Sequence, residues 1–135
     1  QLRELDLGRT RLSDVGLEAL SKLTQLEVLR LHHTRVTNRG LAALAGLDRL
    51  RVLELDHTDV VDAGVEHLAS LPALVELRLD STLVTDAAIE HLLRIESLER
   101  LNLGNTVITD TGVDRLAALP RLETLGLAGT RTSPR

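Results

Sequence analysis

Apolar residues recur along this chain with two different periods, and the switch between the two is itself repeated. In Glu4-Leu5-Asp6-Leu7-Gly8 polar and apolar residues alternate, the period of two that a half-buried strand requires. Leu17, Leu20 and Leu23 then follow at three-residue steps, which suits the apolar face of a short helix. Leu2, Leu26, Leu50, Leu74, Leu98 and Leu122 each open the same phrase, 24 residues apart. Five full repeats therefore start at residues 2, 26, 50, 74 and 98, and a partial sixth starts at 122 and stops at Thr-Ser-Pro-Arg before its helix. The span 1–135 reads as one repeat domain with no linker inside it.

One strand, a turn, a short helix and a return cannot enclose a core alone, so each unit must bury its leucines against its neighbours. Parallel strands sit about 4.8 Å apart, whereas a helix with its side chains is roughly 10 Å across. The stack must therefore bend, with parallel strands on the concave face and short helices on the convex face. The predicted fold class is α/β, a curved solenoid. Repeat arrays need polar terminal units, and neither end of this sequence carries one, so the natural protein is expected to continue as a longer array.

Two polar columns accompany the leucines. Asp14, Asn38, Asp62, Asp86 and Asp110 precede the helical periodicity and are predicted helix N-caps, each with a side-chain oxygen suited to the first free amides. Thr10, Thr34, Thr58, Thr82, Thr106 and Thr130 close the strands, where a hydroxyl both donates and accepts. They are predicted to form a structural ladder tying each turn to the next rung.

Composition narrows the function classes. At 43% apolar and 27% charged residues, the chain has the makings of a well-filled core. It has no cysteine, which excludes disulfides, thiolate metal sites and a cysteine nucleophile. It has no Phe, Tyr or Trp, so stacking platforms for single-stranded nucleic acid are absent. A formal charge of −4 gives no general attraction to nucleic acid or anionic membrane. Arg9, Arg11, His33, Arg35 and Arg39 do gather near the first turns, but Asp56, Asp59 and Asp62 follow at once. No apolar run approaches the ~18 residues that suggest a membrane span.

The strand phrases LRELDLGRTRL, LEVLRLHHTRV and LERLNLGNTVI resemble the leucine-rich repeat pattern L-x-x-L-x-L-x-x-N/C-x-L, with Thr where Asn or Cys is usual. The downstream segment VITDTGVDRL is similar to the cysteine-containing subclass found in F-box substrate adaptors and in large bacterial repeat proteins. The resemblance covers essentially the whole chain. It implies a repeat solenoid whose common property is binding other proteins, without one shared activity.

With Leu5 and Leu7 inward, residues 4, 6, 8 and their equivalents point to the concave surface. The candidate partner-binding residues there are Arg30, His32, Glu54, Asp56, Glu76, Arg78, Asp80, Arg100 and Asn102. Asp6, Arg30, Glu54 and Arg78 fall in one file with alternating sign, which permits self-neutralisation. The arginines are the one common hot-spot residue type present. Adjacent histidines at 32 and 33 raise metal binding, and His32, Asp56 and His57 have ligand chemistry. Ser81, His57 and Asp56 superficially complete a nucleophilic grouping, but with no oxyanion donor. The sequence reading is a non-catalytic protein-interaction module with a protein partner and no cofactor, metal, nucleic acid or membrane. An architectural spacer is the alternative, and a metal or hydrolytic site around His32, Asp56 and His57 is the third. Six strands of five residues project about 400 Å², against about 800 Å² per partner for a standard interface, so this stretch would supply part of a larger surface.

Overall fold

The computed structural model describes residues 1–133, so Pro134 and Arg135 of the partial sixth repeat lie outside the described residues. Six strands form one parallel sheet in chain order: β1 (Glu4–Asp6), β2 (Val28–Arg30), β3 (Val52–Glu54), β4 (Glu76–Arg78), β5 (Arg100–Asn102) and β6 (Thr124–Gly126). Leu5, Leu29, Leu53, Leu77, Leu101 and Leu125 stand in register across it, one per rung. Each strand is three residues rather than the expected five. The rung-to-rung bonding continues past it: Leu31 N–H donates to Glu54 C=O at 2.8 Å and His33 N–H to Asp56 C=O at 3.0 Å. The backbone is already leaving the extended conformation there.

The departure is a left-handed residue in every rung, at Arg9, His33, His57, Ser81, Asn105 and Gly129. Its φ of 53–60° at the non-glycine positions costs an L-residue about 1–2 kcal/mol. Ser81 has φ 56°, and among the described residues its side chain makes no hydrogen bond, so Ser81→Gly keeps the backbone amide and removes the Cβ conflict. After allowance for glycine's extra unfolded-state entropy, it is expected to raise stability by about 0.5–1 kcal/mol, measured by urea denaturation.

The helical side is irregular. α1 (Asp14–Glu18) and α2 (Asn38–Leu41) run on into 3₁₀ turns at Ala19–Lys22 and Ala42–Leu44. α3 (Asp62–Leu68) and α5 (Asp110–Leu116) are continuous, and α4 (Ile89–Leu92) is preceded by a 3₁₀ turn, Asp86–Ala88. Neighbouring helices pack in sequence order. Between sheet and helices lies one leucine-dominated core, in which Leu29, Leu31, Leu41 and Leu44 of the second rung meet their counterparts Leu53, Leu55, Val65 and Leu68 of the third, all fully buried. Leu5, Leu7 and Leu12 of the first rung and Leu122, Leu125 and Leu127 of the last are only partly buried, because a rung with one neighbour covers one side.

Neither polar column takes the role predicted for it. Each threonine hydroxyl closes its own turn rather than reaching the next rung: Thr34 Oγ1 donates to Leu31 C=O at 2.7 Å, and Thr10, Thr58, Thr82, Thr106 and Thr130 do the same three residues back. The carbonyl it satisfies would otherwise be stranded at the bend.

The predicted caps are likewise displaced. The N-cap residues are Ser13, Thr37, Val61, Thr85 and Thr109, one before Asp14, Asn38, Asp62, Asp86 and Asp110, which occupy the first helical position. Their side chains face the next rung instead. Asp14 accepts the Thr37 amide and hydroxyl at 2.8 and 2.6 Å, and Asp62 those of Thr85 at 2.6 and 2.7 Å. Asp86 serves Thr109 and Asp110 serves Ser133 identically. Asn38 faces Val61, which has an amide but no hydroxyl, and accepts that amide at 2.9 Å. A carboxylate there would have one oxygen without a donor from that residue, which explains the single amide in an otherwise acidic column.

Close approach accompanies this at three joints, while the Asp62–Thr85 bonds form at the joint that carries Ala88. A Cβ on Gly40, Gly64 or Gly112 would lie 2.4 Å from the ladder oxygen of Asp14, Asn38 or Asp86. Ala88 carries a Cβ at the equivalent position, and its rung alone among the five begins with a 3₁₀ turn rather than an α-turn.

Candidate functional site

Among the described residues no helix lies on the second face of the sheet, where residues 30, 54, 78 and 102 stand side by side in register. The alternating file is only partly self-neutralised. Arg30 is engaged on both sides, with Glu54 at 3.0 Å and with Glu4, and these hydrogen bonds, Glu4's first, raise its pKa above the ordinary guanidinium value. Arg100 pairs with Glu76 at 3.0 Å. Asn102 turns its oxygen back to the Gly104 amide at 2.9 Å and so braces its own turn.

Arg78 departs from this pattern. Rather than pairing with Glu54 beside it, its Nε lies 3.6 Å from Asp80 and 3.9 Å from Asp56, too far to hydrogen-bond either. Arg78 Nε, Asp56 Oδ1 and Asp80 Oδ1 are all shielded from solvent and all lack a hydrogen-bond partner. The three groups therefore meet as a loose ion pair with no hydrogen bond between them, the least settled charges on the face. Beside Arg78, a shallow depression of about 330 Å³ runs over β4–β6, floored by Thr124 and Gly126 and flanked by Glu76, Arg78, Arg100 and Asn102.

The histidines cluster at the other edge of the same acidic pair. His33 stacks on His57 with centroids 4.1 Å apart and planes 15° from parallel, and His32 meets His33 edge-on. Desolvation, then the charges of His57 and Arg9, lower the His33 pKa. His32 lies over Gly8 of the first rung, where a Cβ would collide with the ring at 2.2 Å.

Ser81 has the left-handed backbone of a nucleophile elbow, but Arg9, His33, His57 and Asn105 have it too, so it is the rung's turn and not a catalytic strain. Among the described residues no hydrogen bond joins Ser81 to His57. The sequence reading missed an apolar pair, Leu83 and Val107, exposed at 59% and 38% on successive rungs. Their column otherwise reads Arg11, Arg35, Asp59 and Arg131, and that contrast was the available signal.

A family model described as leucine-rich repeat matches residues 1–60, and a second of the same description matches residues 95–117. The chain belongs to the leucine-rich repeat family. Its fold is similar to an internalin (inlF) of Listeria monocytogenes, with a TM-score of 0.71 and 20% identity, over 98% of this chain and 43% of that one. It is also similar to internalin C2 of the same organism, with a TM-score of 0.70 and 26% identity over 97% and 63%. A leucine-rich repeat protein of Leptospira interrogans aligns with a TM-score of 0.75 and 23% identity over 98% and 33%. The chain thus spans less than two thirds of the length of each structure. No curated protein sequence matches it. Leucine-rich repeat solenoids are in general protein-interaction scaffolds and typically non-enzymatic.

Proposed function

We propose that the open sheet face binds a protein partner, with Arg78, Asp56 and Asp80 at the centre of the contact. The observation that carries this reading is a loose Arg78–Asp56–Asp80 ion pair, without hydrogen bonds, on a face that no other layer covers among the described residues. Arg78 keeps 42% of its side chain exposed, so a carboxylate or amide oxygen of the partner can meet its guanidinium there. The depression over β4–β6 accommodates a side chain from the same partner. Arg30, Glu54, Glu76, Arg100 and His32 then act as the flanking frame, since most of their charges are already met within the chain.

The architectural reading draws on those same internal pairs, and charge reversal separates the two. Arg78→Glu is expected to weaken partner binding by about 2 kcal/mol, roughly thirtyfold in Kd, while reversal of the helix residue Lys22 leaves it unchanged. Surface plasmon resonance against a captured partner measures both, with circular dichroism confirming the fold. Undiminished binding by folded Arg78→Glu protein would favour a spacer with an idle face.

A further inference from the structure

We propose that His32, His33 and Asp56 form a binding site for a divalent transition-metal ion of the zinc class, with His57 and Asp80 adjoining it. This holds whether or not a protein docks on the same face. Residues adjacent in a strand normally point to opposite faces. The left-handed turn at His33, φ 54°, breaks that alternation and lets two successive imidazoles converge. Their Nδ1 atoms are 3.4 Å apart. Two nitrogens each about 2.0–2.1 Å from a tetrahedral zinc ion are separated by about 3.3 Å, so the spacing already suits shared coordination.

The third ligand comes from the next rung. One ligand atom from each of His32, His33 and Asp56 falls within 4.8 Å of the others, and Asp56, His57 and Asp80 form a second such set sharing Asp56. Asp56 is 8% exposed, and its Oδ1 has no hydrogen-bond partner. A carboxylate is seldom buried with an idle oxygen unless a cation completes it. Gly8 leaves the space in which the His32 ring is seated, and Asp6 lies 3.8 Å from His32 Nε2, on the side from which carboxylates support ligating imidazoles. Two imidazoles and a carboxylate favour zinc, nickel, cobalt or copper over calcium and magnesium, which prefer all-oxygen sites. Arg78 is the competing cation, near both aspartates but bonded to neither.

The test is a calorimetric titration of the chelator-treated chain with zinc chloride, repeated with cobalt for its visible absorption. One ion per chain is expected, with cobalt bands of histidine-containing coordination and a zinc-induced rise in Tm. His33→Gln and Asp56→Asn are each expected to weaken binding by about tenfold or more, and Gly8→Ala to weaken it by unseating His32. Arg78→Met should strengthen it by removing the rival charge, a gain that misfolding cannot imitate. His67→Gln, on α3, should change nothing. Absence of stoichiometric binding would overturn the proposal, as would zinc binding that persists undiminished in folded His33→Gln and Asp56→Asn proteins.

Discussion

Leu53→Ala is expected to lower the unfolding free energy by about 3 kcal/mol, the largest effect of any single truncation considered. Leu53 has no exposed surface and sits in register between Leu29 and Leu77, so the cavity opens at the joint of three rungs. Removing a buried leucine's methyl groups forfeits their transfer energy and leaves a void that close-packed neighbours only partly fill. Because a solenoid's stability is approximately a sum of repeat and nearest-neighbour terms, the loss falls on two interfaces. Leu5→Ala provides the contrast, since Leu5 is partly buried and has a strand neighbour on one side only. Urea denaturation should show a cost for Leu5→Ala at most about half that for Leu53→Ala. A flatter transition for Leu53→Ala would mark the array dividing at the third rung. Equal costs at the two positions would contradict the description of rungs supported by both neighbours.

Asp62→Ala is the second large effect, expected at about 2 kcal/mol. Its carboxylate accepts both the amide and the hydroxyl of Thr85, at 2.6 and 2.7 Å, and Thr85 in turn caps the following helical turn through the Ala87 amide at 3.2 Å. The substitution strips two charge-assisted bonds and leaves a part-buried amide without its acceptor. The chain contains its own control in the pairing of Asn38 with Val61. Converting Asp62 and Thr85 together to Asn and Val recreates that pairing. The double variant should be more stable than the sum of the single losses predicts, with a coupling of about 1 kcal/mol in a denaturation cycle. Strict additivity would mean that the column does not join the rungs.

Much of the fold was legible because one spacing governs all of it. Leu29, Leu53, Leu77 and Leu101 are equivalent in sequence and therefore opposite one another in space, and the alternation around them separates the buried face from the open one. The site was less legible. Arg30, Glu54 and Arg78 do share a file, yet Arg30 bonds along it while Arg78 reaches out of it toward Asp56 and Asp80. His32 and His33 converge only because His33 is left-handed, a conformation that no pattern of polar and apolar residues announces.

The two polar columns give the same lesson. Threonine and aspartate were both visible as periodic polar positions, and either type has the chemistry to bridge rungs. The choice depended on reach. A threonine hydroxyl at the bend finds the carbonyl three residues behind it before it can find a neighbour. The aspartate or asparagine at the start of the helix reaches an amide 23 residues on.

The amino-acid sequence by itself determined the repeat period, the parallel strand order and the identity of the buried leucines, since burial follows from a spacing that any neighbouring copy must match. Only the tertiary structure decided which polar atoms are paired and which are left unsatisfied, because that rests on rotamers and on separations of a few tenths of an ångström between rungs, quantities that a periodic string of residues does not contain.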